Sequence, residues 1–247
     1  VDAHLLDIDV YDPETLARAG LVVVSPGART DIPLFDGARR NGVRITGEFE
    51  LASEFITAPV AAITGTNGKS TTTSLLGHIA SSAGRRTFTG GNLGTPLSEA
   101  VLAGTPWDLV VAEASSFQLE TIERFHPAVS LLLNLRPDHM DRYPDLDAYA
   151  RTKARIFMNQ QPEEFAVVNA DDEGAMRLAR GIRPKVVAFS RAYAPAEGVS
   201  IARERDGAWR LTWRIGGREE ACVLDNPRIP GAHNAENAAA AMAAARL

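Results

Sequence analysis

The sequence has one cysteine, Cys222, no long apolar run and fewer basic than acidic side chains. A single cysteine excludes an internal disulfide framework and fits a reducing compartment, so we expect a cytoplasmic protein. The formal net charge of −5 argues against a general nucleic-acid binder, because binding a phosphate backbone requires a basic surface. An anionic ligand must therefore be held by local groups and not by a positive field of the whole protein.

Membrane segments are also missing from the sequence pattern. No run of about 18 apolar residues occurs, and no charged-then-apolar leader predicts a signal peptide. The chain has 247 residues, of which 45% are hydrophobic and 23% charged, as in ordinary globular proteins. That length amounts to one large domain or one and a half, and we expect a monomer whose partners include neither a nucleic acid nor a membrane.

Short apolar runs alternate with amphipathic stretches along most of the chain. Runs within residues 108–113 and 128–134 are apolar on both faces, as expected of strands buried in a parallel sheet between helices. The predicted strands are Leu21–Val24, Val43–Ile45, Val60–Thr64, Thr87–Thr89, Leu109–Ala112, Val129–Leu133, Phe165–Val168 and Val186–Phe189. The predicted helices are Asp31–Asn41, Lys69–Ala83, Asp147–Met158, Asp171–Arg180 and Ala235–Leu247. This alternation predicts an α/β fold with a doubly wound, mostly parallel sheet.

Two regions interrupt this alternation. Before about Ala58 there are only two convincing strands with a helix between them, which is too little for a complete sheet domain. Between Gly198 and Leu224 the pattern alternates, with turn signals at Asp206-Gly207 and Gly216-Gly217, and predicts an antiparallel meander at a sheet edge. We therefore predict a partial, Rossmann-like N-terminal domain at residues 1–57 and a central domain at residues 58–247.

The most informative segment is Gly65-Thr-Asn-Gly-Lys-Ser70, which lies between a buried strand and a helix. Its glycines let backbone N–H groups turn inward, and the helix N-terminus supplies further donors for a phosphate. Lys69 would reach the β- and γ-phosphates, and the Ser70 hydroxyl would bind Mg²⁺. The general P-loop pattern asks for a glycine where Ile63 stands, so a standard kinase or GTPase loop is excluded. The alternative is a strand–helix connection whose glycines only permit a tight turn.

This loop resembles the phosphate loop of the Mur ligases and folylpolyglutamate synthetases. Further segments, in the family's order, narrow the resemblance to the Mur ligases that add D-glutamate to UDP-N-acetylmuramoyl-L-alanine. These segments are Ser25-Pro-Gly27, Gly90-Gly-Asn-Leu-Gly94, Glu113-Ala-Ser-Ser-Phe-Gln-Leu-Glu120, Asn134-Leu-Arg-Pro-Asp-His139-Met-Asp-Arg-Tyr143, Lys153 and Gly231-Ala-His-Asn234-Ala-Glu-Asn237. The family's opening βαβ unit and third domain have no counterpart here. We therefore expect a truncated chain that binds ATP and Mg²⁺ but does not form the amide bond alone.

The resemblance implies an ATP-dependent ligase of peptidoglycan precursor synthesis that works through an acyl-phosphate intermediate. The residues that it implies to be catalytic are Lys69, Glu113, His139 and Lys153. Those implied to bind ATP are Gly65, Thr66, Asn67, Gly68, Lys69, Ser70, Thr71, Asn234 and Asn237. Those implied to bind the UDP-substrate are Ser25, Gly27, Asn92, Ser115, Gln118 and His139. Two Mg²⁺ ions would be held by Ser70, Glu113, His139 and a carbamylated Lys153.

The residues themselves leave alternatives open at several of these positions. Glu113 follows a buried strand and would face the ligand crevice of an open α/β sheet, but it could instead cap a helix or form an ion pair. His139 could belong to a charged surface loop, and Lys153 by composition alone is a solvated lysine. Asn234 could cap the last helix instead of contacting adenine.

The function also has alternatives. A folylpolyglutamate-type ligase would share residues 65–70 and the lysine, although Ser-Ser-Phe-Gln-Leu-Glu120 favours the cell-wall enzymes. Another Mur ligase, specific for a different amino acid, fits the same motifs. The chain could also be a non-catalytic nucleotide-binding module.

Overall fold

The computed structural model describes residues 13–225 and 230–247, and a mostly parallel sheet with helices on both faces dominates it. The strands are β1 (Leu21–Val24), β2 (Arg44–Gly47), β3 (Val60–Thr64), β4 (Thr87–Gly91), β5 (Leu109–Glu113), β6 (Val129–Leu132), β7 (Phe165–Asn169), β8 (Lys185–Ser190), β9 (Gly198–Arg203), β10 (Trp209–Ile215) and β11 (Arg218–Leu224). The helices are α1 (Pro13–Arg18), α2 (Asp36–Arg40), α3 (Glu48–Ser53), α4 (Lys69–Ser82), α5 (Leu97–Leu102), α6 (Ser116–Leu119), α7 (Leu146–Ala154), α8 (Glu173–Leu178) and α9 (Ala232–Ala245).

Within the described residues, nine strands form the large sheet in the order β11-β10-β9-β8-β7-β6-β3-β5-β4. The strands from β4 to β9 are parallel, and β9, β10 and β11 form an antiparallel meander at one edge. After β3 the chain builds two strands on one side and then moves to the other side with β6. Ligands of open α/β sheets bind at such a reversal, outside the carboxyl ends of the strands. The topology therefore places the candidate site beyond the ends of β3, β5 and β6.

Two apolar cores lie on the two faces of this sheet. Along β3, Val60 and Ala62 face one core, whereas Ala61 and Ile63 face the other. Helices α3, α5, α6, α7 and α8 cover the first face, and α4 and α9 cover the second. The buried face of α9 consists largely of alanines, which favour helix and let the helix approach the strands closely. Burial on both faces explains why these strands are continuous apolar runs in the sequence.

A smaller unit precedes the large sheet. Strands β1 and β2 pair in parallel, and a separate core contains Leu16, Val22 and Phe35. Helix α3 follows β2 directly, yet its Phe49 lies in the core of the large sheet and packs edge-on against a second phenylalanine there. The small unit is thus attached to the large one by shared apolar packing. The predicted division after residue 57 stays a prediction.

The predicted fold class is confirmed, including the edge meander and its two turns. Each of the eight predicted strands lies within two residues of an observed one. Four short helices, α1, α3, α5 and α6, were missing from the prediction. The predicted helix Asp31–Asn41 is instead a 3₁₀ turn at Pro33–Phe35 followed by α2, because proline at a helix start favours a new first turn. The last helix begins at Ala232, not at Ala235. No helix in the described parts of the chain is long and apolar enough to cross a membrane.

Glu50, a fully buried carboxylate, fastens α3 to the large unit. Its two oxygens accept hydrogen bonds from the backbone N–H groups of Arg124 (2.7 Å) and Phe125 (3.0 Å). The guanidinium of Arg44 lies 3.6 Å away and partly balances the charge. Buried charges are tolerated when they are bonded in this way, so the joint depends on an intact carboxylate.

We expect Glu50→Ala to lower the free energy of unfolding by about 2–4 kcal/mol, because the buried N–H group of Phe125 and the partly buried one of Arg124 lose their acceptor. Glu54→Ala is the matched control, since Glu54 also binds Arg44 but is more exposed and should cost less than about 1 kcal/mol. Urea denaturation of the two variants measures the difference. Equal losses of unfolding free energy for Glu50→Ala and Glu54→Ala would show that the buried hydrogen bonds of Glu50 stabilise the protein no more than an exposed ion pair does.

Candidate active site

The loop after β3 has the backbone geometry of an anion-binding turn. Gly65 and Gly68 have positive φ angles of 149° and 85°, which favour glycine. Helix α4 begins at the next residue, Lys69, and its cap residue Gly68 supplies no side-chain cap. The first N–H groups of a helix then remain available to a bound anion and carry a partial positive charge.

The inside of the loop has no room for a side chain at Gly68. A Cβ atom there would overlap the carboxamide oxygen of Asn237, which projects from α9. Asn237 is buried, and its side-chain amide donates a 3.4 Å hydrogen bond to the side-chain oxygen Oδ1 of Asn234. The predicted adenine-side residue Asn237 therefore lies directly against the phosphate loop.

Lys69 projects back over this loop. Its amine donates to the carbonyl oxygens of Gly65 (3.2 Å) and Thr66 (3.0 Å). A charged amine held at the loop mouth can contact a phosphate that the loop binds. Ser70 is exposed beside it at the start of α4, and Thr71 is half-buried. The structure thus brings the predicted phosphate-binding residues together around one turn, while their contact with ATP stays a prediction.

Glu113 ends β5 with its side chain turned into the interior, only 2% exposed. One oxygen accepts a 2.7 Å hydrogen bond from the side-chain amide of Asn92, and the other is buried without a hydrogen-bond partner among the described residues. Helix α6 is capped by Ser115, and Glu113 forms no ion pair among the described residues, so the capping and ion-pair alternatives are wrong. A buried carboxylate oxygen without a partner is costly, and a cation would satisfy it.

Lys153 is a buried amine, 1% exposed, on the inner face of α7. Its nitrogen lies 4.7 Å from the centre of the Tyr149 ring. Burial, reinforced by the charge of Lys69 and opposed by Asp138 and Glu113, lowers the pKa of Lys153 to about 7. The interpretation as a solvated lysine is therefore wrong. The charges that act on its pKa also show that these four side chains share one region.

His139 lies at the rim of this region. Among the described residues it is the only non-glycine with a positive φ angle, 53°. Its ring centre lies 4.8 Å from that of Phe117 and 6.4 Å from that of Tyr149, and its Nε2 atom lies 3.6 Å from the Asp138 carboxylate. The ring is partly exposed, so it is accessible to a ligand. Its predicted metal-binding role stays a prediction.

Three of the predicted substrate residues, Ser25, Asn92 and Gln118, line a cleft of about 390 Å³ between the small unit and the large sheet. Glu48 also lines this cleft and accepts a 2.6 Å hydrogen bond from the backbone N–H of Ser98. The Asn92 amide joins the cleft to Glu113, so the cleft and the buried carboxylate are adjacent.

Ser115 and Gln118 also have a structural task. They form a capping box, in which Ser115 Oγ accepts from Gln118 N (3.2 Å) and Gln118 Oε1 accepts from Ser115 N (2.9 Å). Gly27 lies beside a smaller pocket, and its carbonyl accepts a 3.2 Å hydrogen bond from Arg142. The polar groups of Ser115 are thus already engaged, whereas Gln118 still lines the cleft.

The loop that carries His139 is tied to the end of α6 by Glu120. The Glu120 carboxylate accepts hydrogen bonds from Arg142 (2.5 Å) and from the hydroxyl of Tyr143 (2.6 Å). Burial and the bond to Glu120 raise the pKa of Tyr143. Because Arg142 also donates to Gly27, this cluster joins the end of α6, the histidine loop and the loop after β1.

Asn234 does not cap α9. The cap residue is Gly231, and the Asn234 side chain donates a 2.8 Å hydrogen bond to the carbonyl of Pro230. The capping alternative is therefore wrong, and contact with adenine stays a prediction.

The profile of the Mur ligase middle domain matches residues 63–245 of this chain. The chain belongs to the Mur ligase family. It is 48% identical over 226 residues to the UDP-N-acetylmuramoylalanine–D-glutamate ligase of Pelotomaculum thermopropionicum. The matched region covers 92% of this chain and 49% of that enzyme. The chain thus spans about half the length of the curated relatives that it matches.

Solved structures support the same fold. The UDP-N-acetylmuramate:L-alanyl-gamma-D-glutamyl-meso-diaminopimelate ligase from Neisseria meningitides superimposes with a TM-score of 0.67 at 22% identity, covering 95% of this chain and 76% of that one. The Thermotoga maritima MurF ligase in complex with ADP gives 0.61 at 18% identity, with coverages of 94% and 63%. At these identities the likeness shows the fold alone.

Several residues of this Mur ligase site were not predicted individually from the sequence. Phe117 and Tyr149 surround His139 and Lys153, and Glu48 lines the cleft. Phe117 stands inside a segment that the sequence already marked, but nothing there distinguishes it from a core residue. Among the described residues, no cluster of three or more histidine, cysteine, aspartate or glutamate side chains is arranged to hold a metal.

Proposed function

We propose that this Mur ligase chain contributes the nucleotide-binding and metal-binding part of a ligase that joins D-glutamate to UDP-N-acetylmuramoyl-L-alanine. The observation that carries the proposal is the convergence of the phosphate loop, the partnerless oxygen of Glu113 and the buried amine of Lys153 at the carboxyl ends of β3, β5 and β6. The similarity to several UDP-N-acetylmuramoylalanine–D-glutamate ligases supports the choice of D-glutamate over the folylpolyglutamate and other Mur reactions. The bound ADP named for the MurF structure supports the nucleotide.

The proposed reaction has two steps. The carboxylate of the UDP-substrate attacks the γ-phosphorus of ATP, and the bond between that phosphorus and the β,γ-bridging oxygen breaks. The products of this step are ADP and an acyl phosphate of the UDP-substrate. The amine of D-glutamate then attacks the acyl carbon, loses a proton and displaces phosphate. Phosphoryl transfer concentrates charge on the transferred group, so positioning and positive charge supply most of the catalysis. Lys69 and the N-terminus of α4 supply that charge from this chain.

The donor set fits Mg²⁺, which prefers oxygen ligands. Glu113 offers a buried oxygen without a partner, and the Ser70 hydroxyl stands at the start of α4; together they would hold one ion. His139 and a carbamate on Lys153 would hold a second. When bound, Mg²⁺ would neutralise charge on the phosphate oxygens during transfer.

The substrates would meet along the line from the cleft to the phosphate loop. Ser25, Asn92 and Gln118 would bind the muramoyl-alanine end of the UDP-substrate in the cleft, and the bond from Asn92 to Glu113 would connect that end to the ion that Glu113 would hold. Asn234 and Asn237 would face the adenine, because Asn237 lies against Gly68. We further propose that the protein acts in the cytoplasm and that it is a monomer.

Lys69→Ala tests the nucleotide half of this proposal. We expect it to weaken the binding of ATP with Mg²⁺ by about 1.5–3 kcal/mol, or roughly 10- to 150-fold, because it removes a charge-assisted contact. Lys185→Ala is the control, since Lys185 packs over Phe165 at the opposite end of the sheet. Titration calorimetry on the folded variants measures both affinities. Equal ATP affinity for Lys69→Ala and the parent would refute nucleotide binding by this loop.

The ligase half needs a turnover measurement. Residues of this chain can replace the matching segment of the Pelotomaculum enzyme, to which they are 48% identical. The chimaera should release phosphate only with both UDP-N-acetylmuramoyl-L-alanine and D-glutamate, and Lys69→Ala should abolish this release. A folded chimaera that binds ATP but never turns over would favour the non-catalytic module.

A further inference from the structure

The middle of the phosphate loop is bonded to the segment that leaves β6. The backbone N–H of Thr66 donates to the carbonyl of Asn134 (3.0 Å). The hydroxyl of Thr66 accepts from the N–H of Arg136 (3.0 Å) and donates to its carbonyl (3.1 Å). This hydroxyl therefore bridges both backbone groups of one residue, and the loop is fixed to a neighbouring strand exit.

Asn134 adds a second bridge of the same kind. Its side-chain oxygen accepts from the backbone N–H of Asn67 (2.8 Å), and its side-chain nitrogen donates to the carbonyl of Asn67 (3.0 Å). A carboxamide carries the donor and acceptor of a peptide group, so Asn134 pairs with Asn67 as an adjacent strand would. Asn67 is exposed, and this pair fixes the orientation of its peptide groups.

The partner segment is itself anchored. Asp172, which is buried, accepts hydrogen bonds from the N–H of Leu135 (3.2 Å) and from the guanidinium of Arg136 (2.6 Å). Its other oxygen caps α8 through the N–H of Ala175 (2.8 Å). The bridge from Asn134 to the loop thus rests on a fixed support on the large sheet, and the same segment continues into the loop that carries His139.

We infer that Asn134 is a positioning residue that presets the phosphate loop for nucleotide, an inference that rests on the proposed binding of ATP. Loop N–H groups can bind phosphate only if their peptide planes are held in the binding orientation, and glycines on both sides of Thr66-Asn67 leave these planes free to rotate. Asn134 holds the plane on each side of Asn67. Binding then costs less ordering of the loop.

Two substitutions at this position separate the donor from the acceptor. Asn134→Ala removes both hydrogen bonds to Asn67. Asn134→Asp has nearly the same shape and keeps an acceptor for the Asn67 N–H, but it replaces the donor with an oxygen that repels the Asn67 carbonyl and the phosphates. We expect Asn134→Ala to weaken ATP binding about five- to tenfold and Asn134→Asp to weaken it further.

The measurements are calorimetry with ATP and Mg²⁺, thermal unfolding, and hydrogen exchange of the Asn67 amide, all on the 247-residue chain. The Asn67 amide should exchange faster in Asn134→Ala. Asn159→Ala is the matched control, because the Asn159 side chain also donates to two carbonyls, those of Glu123 (3.0 Å) and Phe125 (2.9 Å), away from the loop. It should lower thermal stability by a similar amount without changing ATP affinity.

The outcomes separate the inference from the proposed function. If the parent chain binds no ATP, the proposed function is overturned, and the exchange rate of Asn67 still reports on the bridge. If the parent binds ATP and both Asn134 variants bind it equally well, the positioning role is overturned. If the Asn159 control loses the same affinity, the effect belongs to general destabilisation and the inference also falls. Should Asn134→Ala not fold, Asn134→Asp carries the same comparison.

Discussion

Lys153→Met is expected to make the protein more stable at neutral pH, and the gain should shrink as the pH rises. Burial lowers the pKa of the folded amine from its ordinary value near 10.5 to about 7. Between these two values the unfolded chain binds more protons than the folded one, so the parent gains stability as pH increases through this window. Methionine fills a similar volume without a charge, and it removes both the cost and its pH dependence.

We expect the stability gain of Lys153→Met to be roughly 2–4 kcal/mol at pH 7 and to fall towards zero near pH 10. Urea denaturation at several pH values, in buffers freed of CO₂, measures it. Lys185→Met is the control, because Lys185 is exposed and should show neither the gain nor the pH trend. A gain that stays constant from pH 6 to pH 10 would contradict the lowered pKa.

The same amine explains the proposed carbamate. A neutral amine attacks CO₂ through its lone pair, forms an N–C bond and loses a proton, which leaves an anion with two oxygens for Mg²⁺. With ¹³C-bicarbonate, Mg²⁺ and ATP, the parent should show a carbamate signal that Lys153→Met lacks. In the chimaera, Lys153→Ala should abolish phosphate release, and added short carboxylates should restore part of it. Full activity of Lys153→Ala would end the catalytic assignment.

Gly68→Ala is expected to remove most nucleotide binding. A side chain at this position meets two obstacles, because the backbone is left-handed and Asn237 occupies the space. The loop must then shift away from α9, which moves the N–H groups that would face phosphate. We expect a loss of about a hundredfold in ATP affinity and about 2 kcal/mol in stability, since backbone strain costs 1–3 kcal/mol.

Gly84→Ala is the control that separates the effect of the left-handed backbone from the effect of contact with Asn237. Gly84 has nearly the same φ angle, 82°, but nothing lies within 4 Å of its added Cβ atom, and it follows the far end of α4. Gly84→Ala should therefore cost about 1 kcal/mol of stability and leave ATP affinity unchanged. Calorimetry and urea denaturation of the two alanine variants test the contrast. If they behave alike, contact between the loop and Asn237 has no role.

The sequence predicts the large sheet well because its strands are buried on both faces. Residues such as Val110 and Val111 face opposite cores, so the whole run is apolar and easily recognised. The short helices are harder, because α5 and α6 have too few turns for a helical period. They form where packing on the sheet stabilises them, which depends on contacts distant in sequence.

In the candidate site, too, some residues can be predicted from the local sequence and others depend on contacts distant in sequence. The phosphate loop and Glu113 follow strands and can be found from local order alone. Lys153 stands four residues after Tyr149 and three before Ile156, both buried, so the helical period already places it on the apolar face of α7. Its position near the phosphate loop, where the Tyr149 hydroxyl lies 3.3 Å from that of Thr66, depends on the fold. The bridge from Asn134 to Asn67 spans 67 residues, so no local pattern contains it. Only the fold brings these groups together.

The anchoring of α3 in the large core sets how the cleft can admit a molecule. Opening it by swinging the small unit outward would pull Phe49 from its apolar surroundings and strip Glu50 of its two N–H donors. Such a motion is rare on the timescale of molecular collisions, because it amounts to partial unfolding. We therefore expect the cleft to bind only molecules that match its present width and shape.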